Sequence, residues 1–137
     1  MPKTIGLPGW RAGKDRWMTK IMIVDDAAFM RVSIRNILLK NGFEVACEAE
    51  NGTVAVQKYA ESKPDVVTMD ITMPEMSGLD ALREIRKIDP NARVVMVSAL
   101  GQEAMVREAV LSGAKGFIVK PYKEDIIVDT LRKLSNA

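Results

Sequence analysis

From Lys20 onward, short apolar runs alternate with longer stretches in which apolar residues recur every three or four positions. The run Lys20-Ile-Met-Ile-Val24 reads as a strand. Met30, Ile34, Ile37 and Leu38 then fall at i, i+4, i+7 and i+8, which is one face of a helix. Asn41-Gly42 ends that helix, because both residues tolerate the left-handed conformation of a C-cap. The pattern repeats with a second strand over Glu44 to Ala49 and a short helix near Thr53 to Glu61, opened by Asn51-Gly52. Pro64 precedes a third strand, Asp65 to Met69, and a loop bearing Pro and Gly leads to a helix over Leu79 to Ile88. A fourth strand covers Arg93 to Val97. The helix after it, Gln102 to Leu111, carries Met105, Val106, Ala109 and Val110 on one side and ends at Ser112-Gly113. The fifth strand is Gly116 to Val119, and the last helix runs from Lys123 to Leu134 with Ile127, Leu131 and Leu134 inward.

Five strands alternating with five helices imply parallel strands joined by crossover helices. Strands three, four and five are apolar along most of their length, which predicts cover on both faces. Right-handed crossovers leave few topologies. The expected fold is therefore α/β, a doubly wound five-stranded parallel sheet. In such sheets chemistry sits beyond the carboxyl ends of the strands, where the strand order reverses.

Composition narrows the function classes. A hydrophobic fraction of 47% over 137 residues supports one buried core and one domain. The longest apolar runs, such as Ile21 to Val24, are four residues; a membrane-spanning helix needs about twenty. The front of the chain does not read as a signal peptide. Cys47 is the only cysteine, so an intramolecular disulfide is excluded and a reducing, cytoplasmic location fits. Cys47 itself reads as a buried small hydrophobe in strand two, and the methionines read as core filler. The absence of histidine removes Ser-His and Cys-His nucleophile pairs and histidine-bound zinc.

The formal charge is only +2, which speaks against disorder and against a nucleic-acid footprint. It is unevenly placed. Residues 1–17 hold Lys3, Arg11, Lys14 and Arg16 against Asp15 alone, together with three glycines and two prolines and no period. They read as a flexible N-terminal extension or leader, with Trp10 and Trp17 available should it serve as a docking arm. The domain proper is expected over 18–137. Arg83, Arg86 and Lys87 read as a solvated helix face.

The strand ends carry the chemistry. Strand one ends in Asp25-Asp26, strand three in Asp70, strand four in Ser98 and strand five in Lys120-Pro121. Each has an ordinary alternative: acids and a hydroxyl capping helix N-termini, a loop-capping aspartate, a surface lysine. Their coincidence at successive strand ends points to one site. Three carboxylates in a partly dry crevice repel one another by kcal/mol amounts. Lys120 offsets one charge, and a hard divalent cation would offset the rest. An oxygen-only donor set indicates Mg²⁺ rather than zinc.

These residues resemble the receiver domain of two-component response regulators, and within that family the stand-alone chemotaxis regulators. The matching segments are Ile23-Val24-Asp25-Asp26, Asp70 with Met73-Pro74 and Ser77-Gly78, Ser98-Ala99, and Gly113-Ala114-Lys115-Gly116-Phe117 leading to Lys120-Pro121. The likeness covers about residues 19–136. It implies a flavodoxin-like (βα)5 fold with strand order 2-1-3-4-5.

It also implies that Asp70 accepts a phosphoryl group from a sensor histidine kinase. Mg²⁺ would be held by Asp26, Asp70 and the Thr72 backbone carbonyl, with Asp25 acting through water. Lys120 and Ser98 would contact phosphoryl oxygens, and the Lys120-Pro121 bond would be cis.

The resemblance further implies a switch. Ser98 would move toward the phosphoryl group and Phe117 would swing inward, unless Phe117 is simply core. Helix 4, strand 5 and helix 5, with Tyr122, Lys123 and the outer face of Gln102 to Val106, would be read by a motor-switch or other downstream protein, and a phosphatase would reset the state. The chain ends after the last helix, so an interaction module acting as a monomer, without its own effector, is expected. A phosphorelay intermediate or phosphate sink remains open. A Mg²⁺-dependent aspartyl-phosphate hydrolase is opposed by Thr72, which stands where a second acid would be needed. A flavin carrier on the same fold is opposed by Asp25-Asp26, which would repel the flavin phosphate. Small Thr72 and apolar Leu100 place no carboxamide or acid beside Asp70, from which slow spontaneous dephosphorylation is expected.

Overall fold

The computed structural model describes residues 18–135. The extension over residues 1–17 lies outside them. The elements, in chain order, are β1 (Lys20–Val24), α1 (Ala28–Lys40), β2 (Glu44–Ala49), α2 (Gly52–Ser62), β3 (Val66–Asp70), α3 (Gly78–Ile88), β4 (Val94–Ala99), α4 (Glu103–Leu111), β5 (Gly116–Lys120) and α5 (Glu124–Ser135). All strand pairs are parallel, in the order β2-β1-β3-β4-β5. This is the doubly wound sheet expected from the pattern. The order reverses between β1 and β3, and that crevice is where the carboxyl ends of both strands open.

Strand residues alternate between the two faces, and each face has its own core. Met22, Val24, Val67, Met69, Val94 and Met96 pack with residues of α2, α3 and α4. Ile21, Ile23, Val66, Val95 and Ile118 pack with Ile34 and Leu38 of α1 and with Ile127, Val128 and Leu131 of α5. Four of the methionines, Met22, Met69, Met73 and Met96, are core filler as expected. Local chemistry starts the helices where the sequence places their caps. Asn51 Oδ1 accepts from Val54 N at 2.8 Å and Ser77 Oγ accepts from Asp80 N at 3.1 Å. Arg86 and Lys87 lie in the last turn of α3, where a positive charge complements the helix dipole.

Several sequence expectations need correction. β5 is not covered on both faces. It is the edge strand; Ile118 faces α1 and α5, while Phe117 and Val119 point outward at 51% and 38% exposure. α4 packs on β4 and α3, and among the described residues no helix covers the outer face of β5. For the same reason Val110 is exposed and Ala109 alone is buried in α4. Leu134 is only half-buried, and Val128 takes the inward position that periodicity did not single out.

Cys47 is half-buried on β2, with its sulfur 3.4 Å from Ser62 Oγ. The basic face of α3 is solvated as expected, with Arg83 and Lys87 exposed, and its charges make surface contacts. Arg83 pairs with Glu108 of α4 at 3.4 Å, and Arg86 donates to the Pro90 carbonyl. β3, β4 and β5 each run one or two residues further than their apolar runs, because ladder pairing continues through Asp70, Ala99 and Lys120. Among the described residues, no helix is long and apolar enough to cross a membrane.

Candidate functional site

The parallel ladder delivers the rim residues together. Asp70 is the last residue of β3 and pairs with Val97; Lys120 is the last of β5 and pairs with Ala99; Ser98 lies between them in β4. Asp25 follows the last residue of β1. Its N–H still donates to Ala49 O at 3.1 Å, and its Oδ1 accepts from Ala27 N at 2.9 Å. This local Asx turn orients the carboxylate before α1 begins. Arg31, one turn into α1, donates to the Asp25 carbonyl at 2.6 Å.

Asp25, Asp26 and Asp70 each offer a carboxylate oxygen within 4.8 Å of the others. Asp25 and Asp70 are buried, and Asp26 is exposed. Lys120 reaches between the two buried acids, with Nζ 3.6 Å from Asp25 Oδ2 and 3.7 Å from Asp70 Oδ2. The Lys120-Pro121 peptide is cis. Asp70 Oδ1 accepts from Thr72 N at 3.3 Å. Ser98 is 1% exposed.

Burial pushes the Asp70 carboxyl up to about 6; Lys120 opposes the rise, and the neighbouring carboxylates of Asp25 and Asp26 add to it. One ammonium thus faces three carboxylates. Two like charges at 4 Å repel by about 4 kcal/mol at an effective dielectric of 20. The crevice, lined by oxygen donors, therefore suits a hard divalent cation.

The Lys120 charge can be tested directly. In Lys120→Met, without metal, the Asp70 carboxyl is expected to titrate at least about one pH unit higher than in the parent protein, because an attracting cation is removed from a buried acid. Carbon-detected NMR of the carboxyl carbons reads the midpoint, and an unchanged midpoint would contradict the ion pair.

Sequence-predicted residues fare unevenly. Asp25, Asp26, Asp70 and Lys120 converge, with Ser98 on the strand between the last two. The Thr72 side chain is exposed, though its N–H touches Asp70. Phe117 is neither core nor turned toward the interior; its ring is half exposed. Tyr122 is half-buried against the α1–α5 core rather than presented to solvent.

Two residues escaped sequence reasoning in their structural role. Gly78 lies so close to the backbone of Asp70 that a Cβ there would overlap the Asp70 carbonyl oxygen. Gln102 donates through Nε2 to Thr72 Oγ1 at 2.5 Å. A carboxamide therefore stands beside Thr72, although neither position 72 nor position 100 carries one. Nothing in the spacing announces it, because Gln102 arrives from the start of α4, thirty residues away in sequence.

Comparison with known proteins agrees with this geometry. The response regulator receiver domain model matches residues 21–132. The chemotaxis protein CheY of Thermotoga maritima is 60% identical over 116 residues, covering 85% of this chain and 97% of the relative. CheY of Bacillus subtilis is 59% identical over 117 residues, covering 85% and 98%. Among solved structures, the CheX–CheY–BeF3–Mg²⁺ complex of Borrelia burgdorferi superposes with a TM-score of 0.81 at 39% identity, covering 85% of this chain and 88% of that one. Receiver domains are signalling proteins rather than turnover enzymes. A doubly wound sheet whose first, third and fifth strands gather three acids and a lysine at one rim, matched by that family over nearly all of its described length, places this chain in the response regulator receiver domain family.

Proposed function

We propose that this protein is a chemotaxis-type response regulator. Asp70 receives a phosphoryl group from a phosphohistidine of a sensor kinase, and the change is passed to the α4–β5–α5 surface. The observation that carries this reading is the convergence of Asp25, Asp26 and Asp70 within 4.8 Å, with the Lys120 ammonium between the two buried acids.

Phosphoryl transfer needs positioning and charge neutralisation more than proton transfer, so a carboxylate suffices as nucleophile without histidine. An Asp70 oxygen attacks phosphorus, a new P–O bond forms, and the P–N bond to the donor imidazole breaks. The electron pair leaves with the imidazole nitrogen, which takes up a proton. The Lys120 ammonium stands ready to pair with a phosphoryl oxygen, and the Ser98 hydroxyl to donate to another. Asp26, Asp70 and the Thr72 carbonyl would hold Mg²⁺, with Asp25 acting through water. Bound there, the ion would neutralise charge on the transferring group.

Movement of Ser98 toward the phosphoryl oxygens makes room for the Phe117 ring to turn inward, which withdraws an exposed aromatic from the outer face of β5. Leu111, Phe117 and Val119 are exposed around this surface and suit a protein partner. The partner is a motor-switch or other downstream protein, and a phosphatase resets the state. A cytoplasmic location accords with the single free thiol of Cys47.

The test is incubation with acetyl phosphate and Mg²⁺. One phosphoryl group per chain is expected by mass, absent in Asp70→Asn, with a changed Phe117 ring population by NMR when beryllofluoride is added. Sustained release of phosphate over many turnovers, or equal labelling of Asp70→Asn, would overturn the reading.

A further inference from the structure

Gln102 occupies the N-cap position of α4 but does not cap the helix through its side chain. Its carboxamide turns back toward the end of β4 and the β3–α3 loop. Oε1 accepts from Ala99 N–H at 2.6 Å, and Nε2 donates to Thr72 Oγ1 at 2.5 Å. Thr72 N–H in turn donates to Asp70 Oδ1 at 3.3 Å. Three hydrogen bonds thus run from the end of β4 through Gln102 and Thr72 to the Asp70 carboxylate. Acceptor and donor of the carboxamide are both engaged, so the side chain is held in one orientation. Serine, threonine, aspartate or asparagine would cap the helix better, and holding a long glutamine costs rotamer freedom. What that freedom is exchanged for is a bridge between the β3–α3 and β4–α4 loops.

We infer that Gln102 is a positioning residue for the chemistry at Asp70: it latches the two loops together in the unmodified protein and must release Ala99 and Thr72 before an anionic group can be seated on the carboxylate. The inference rests on the reading of Asp70 as phosphoacceptor. Asp70 pairs with Val97 in the ladder and its Oδ1 is bonded by Thr72 N–H, so a group built outward from its carboxylate extends toward the level of Ser98 and Ala99, beside the two residues that Gln102 joins to one another. A phosphoryl oxygen is a charged acceptor and forms stronger hydrogen bonds than a neutral carboxamide oxygen. It competes with Gln102 Oε1 for the Ala99 N–H.

Release has a second consequence. The Gln102 carbonyl accepts from Val106 N in the first turn of α4. Once the side chain lets go of Thr72, that turn is no longer tied to the β3–α3 loop. The same residue therefore sets the threshold for occupying the site and connects occupancy to α4.

Gln102→Leu removes both hydrogen bonds of the bridge, and Thr72→Val removes the one to Thr72 from the other side. With acetyl phosphate and Mg²⁺, Gln102→Leu is expected to label about five- to tenfold faster and to bind beryllofluoride tighter by a similar factor, with a smaller gain of about twofold in Thr72→Val. The double variant is expected to gain no more than Gln102→Leu alone, because the two share one interaction. Backbone NMR should show the Ala99 amide exchanging faster in unliganded Gln102→Leu. Thermal melts identify any variant whose change is a loss of fold, and Thr72→Val then carries the test.

Unchanged or slower labelling in Gln102→Leu, or gains that multiply in the double variant, overturn the latch while normal labelling of the parent protein leaves Asp70 as acceptor intact. A parent protein that takes up no phosphoryl group on Asp70 overturns both.

Discussion

Replacing Gly78 by alanine will destabilise the protein by about 3–5 kcal/mol and move Asp70, an effect at the top of the range for single substitutions. The Cβ would overlap the Asp70 carbonyl oxygen, and would lie 2.9 Å from both the Asp70 carbonyl carbon and Ile71 Cα. All three are backbone atoms, so no side-chain rotation relieves the contact. Gly78 N–H donates to the Ile71 carbonyl at 2.7 Å, which pins the first residue of α3 against the exit of β3. Either that hydrogen bond breaks and α3 shifts, or the backbone carrying the nucleophile shifts.

Chemical denaturation measures the loss, and acetyl phosphate labelling should fall with it. Gly42→Ala is the control. Gly42 has φ of +86° with nothing near its missing Cβ, so its penalty is confined to the backbone conformation, about 1 kcal/mol. A Gly78→Ala variant within 1 kcal/mol of the parent, roughly the cost of the control, would show that the close approach is not what fixes the site.

Asp70→Asn, by contrast, should make the metal-free protein more stable at neutral pH. Burial raises the Asp70 carboxyl to about 6 in the folded state, from 3.8 in an unperturbed carboxyl. The folded protein therefore binds a proton more readily than the unfolded chain. Its stability rises as pH falls from about 7 toward 4, and the charged carboxylate is a penalty above that window. A difference of that size in proton affinity is worth about 3 kcal/mol. Asparagine removes the charge but leaves Lys120 with one acid fewer to pair with, so a gain of about 1–3 kcal/mol is expected.

The parent protein should gain stability between pH 7 and 5 relative to Asp70→Asn, and the two curves should converge near pH 4. Saturating Mg²⁺ should stabilise the parent more than the variant, because binding to the folded state alone adds to its stability. Equal or lower stability of Asp70→Asn at pH 7 without metal would contradict a carboxylate strained by desolvation.

Much of this molecule is legible in its sequence. Strand and helix periods are local properties, so five strands, five helices and their alternation along the chain follow from spacing alone. Because parallel strands deliver their carboxyl ends to one edge, Asp25, Asp26, Asp70, Ser98 and Lys120 can be assigned to one rim. Hydrogen-bonded ladders make the strands longer than their apolar runs, since Asp70, Ala99 and Lys120 pair by backbone whatever side chain they carry. The periodicity of α4 misplaces Val110, because an apolar residue on a short helix at the sheet edge has less protein to pack against.

By itself, the order of residues determined which elements form, which faces are apolar and which charged groups end the strands. Only the folded chain decided that β5 leaves Phe117 and Val119 in solvent, that burial lifts the Asp70 carboxyl, that Gly78 must lack a side chain, and that Gln102 crosses to Thr72. The division has one cause. Periodicity and capping are set by neighbours along the chain, whereas desolvation, close approach and side-chain bridging depend on distances between residues that covalent order leaves far apart.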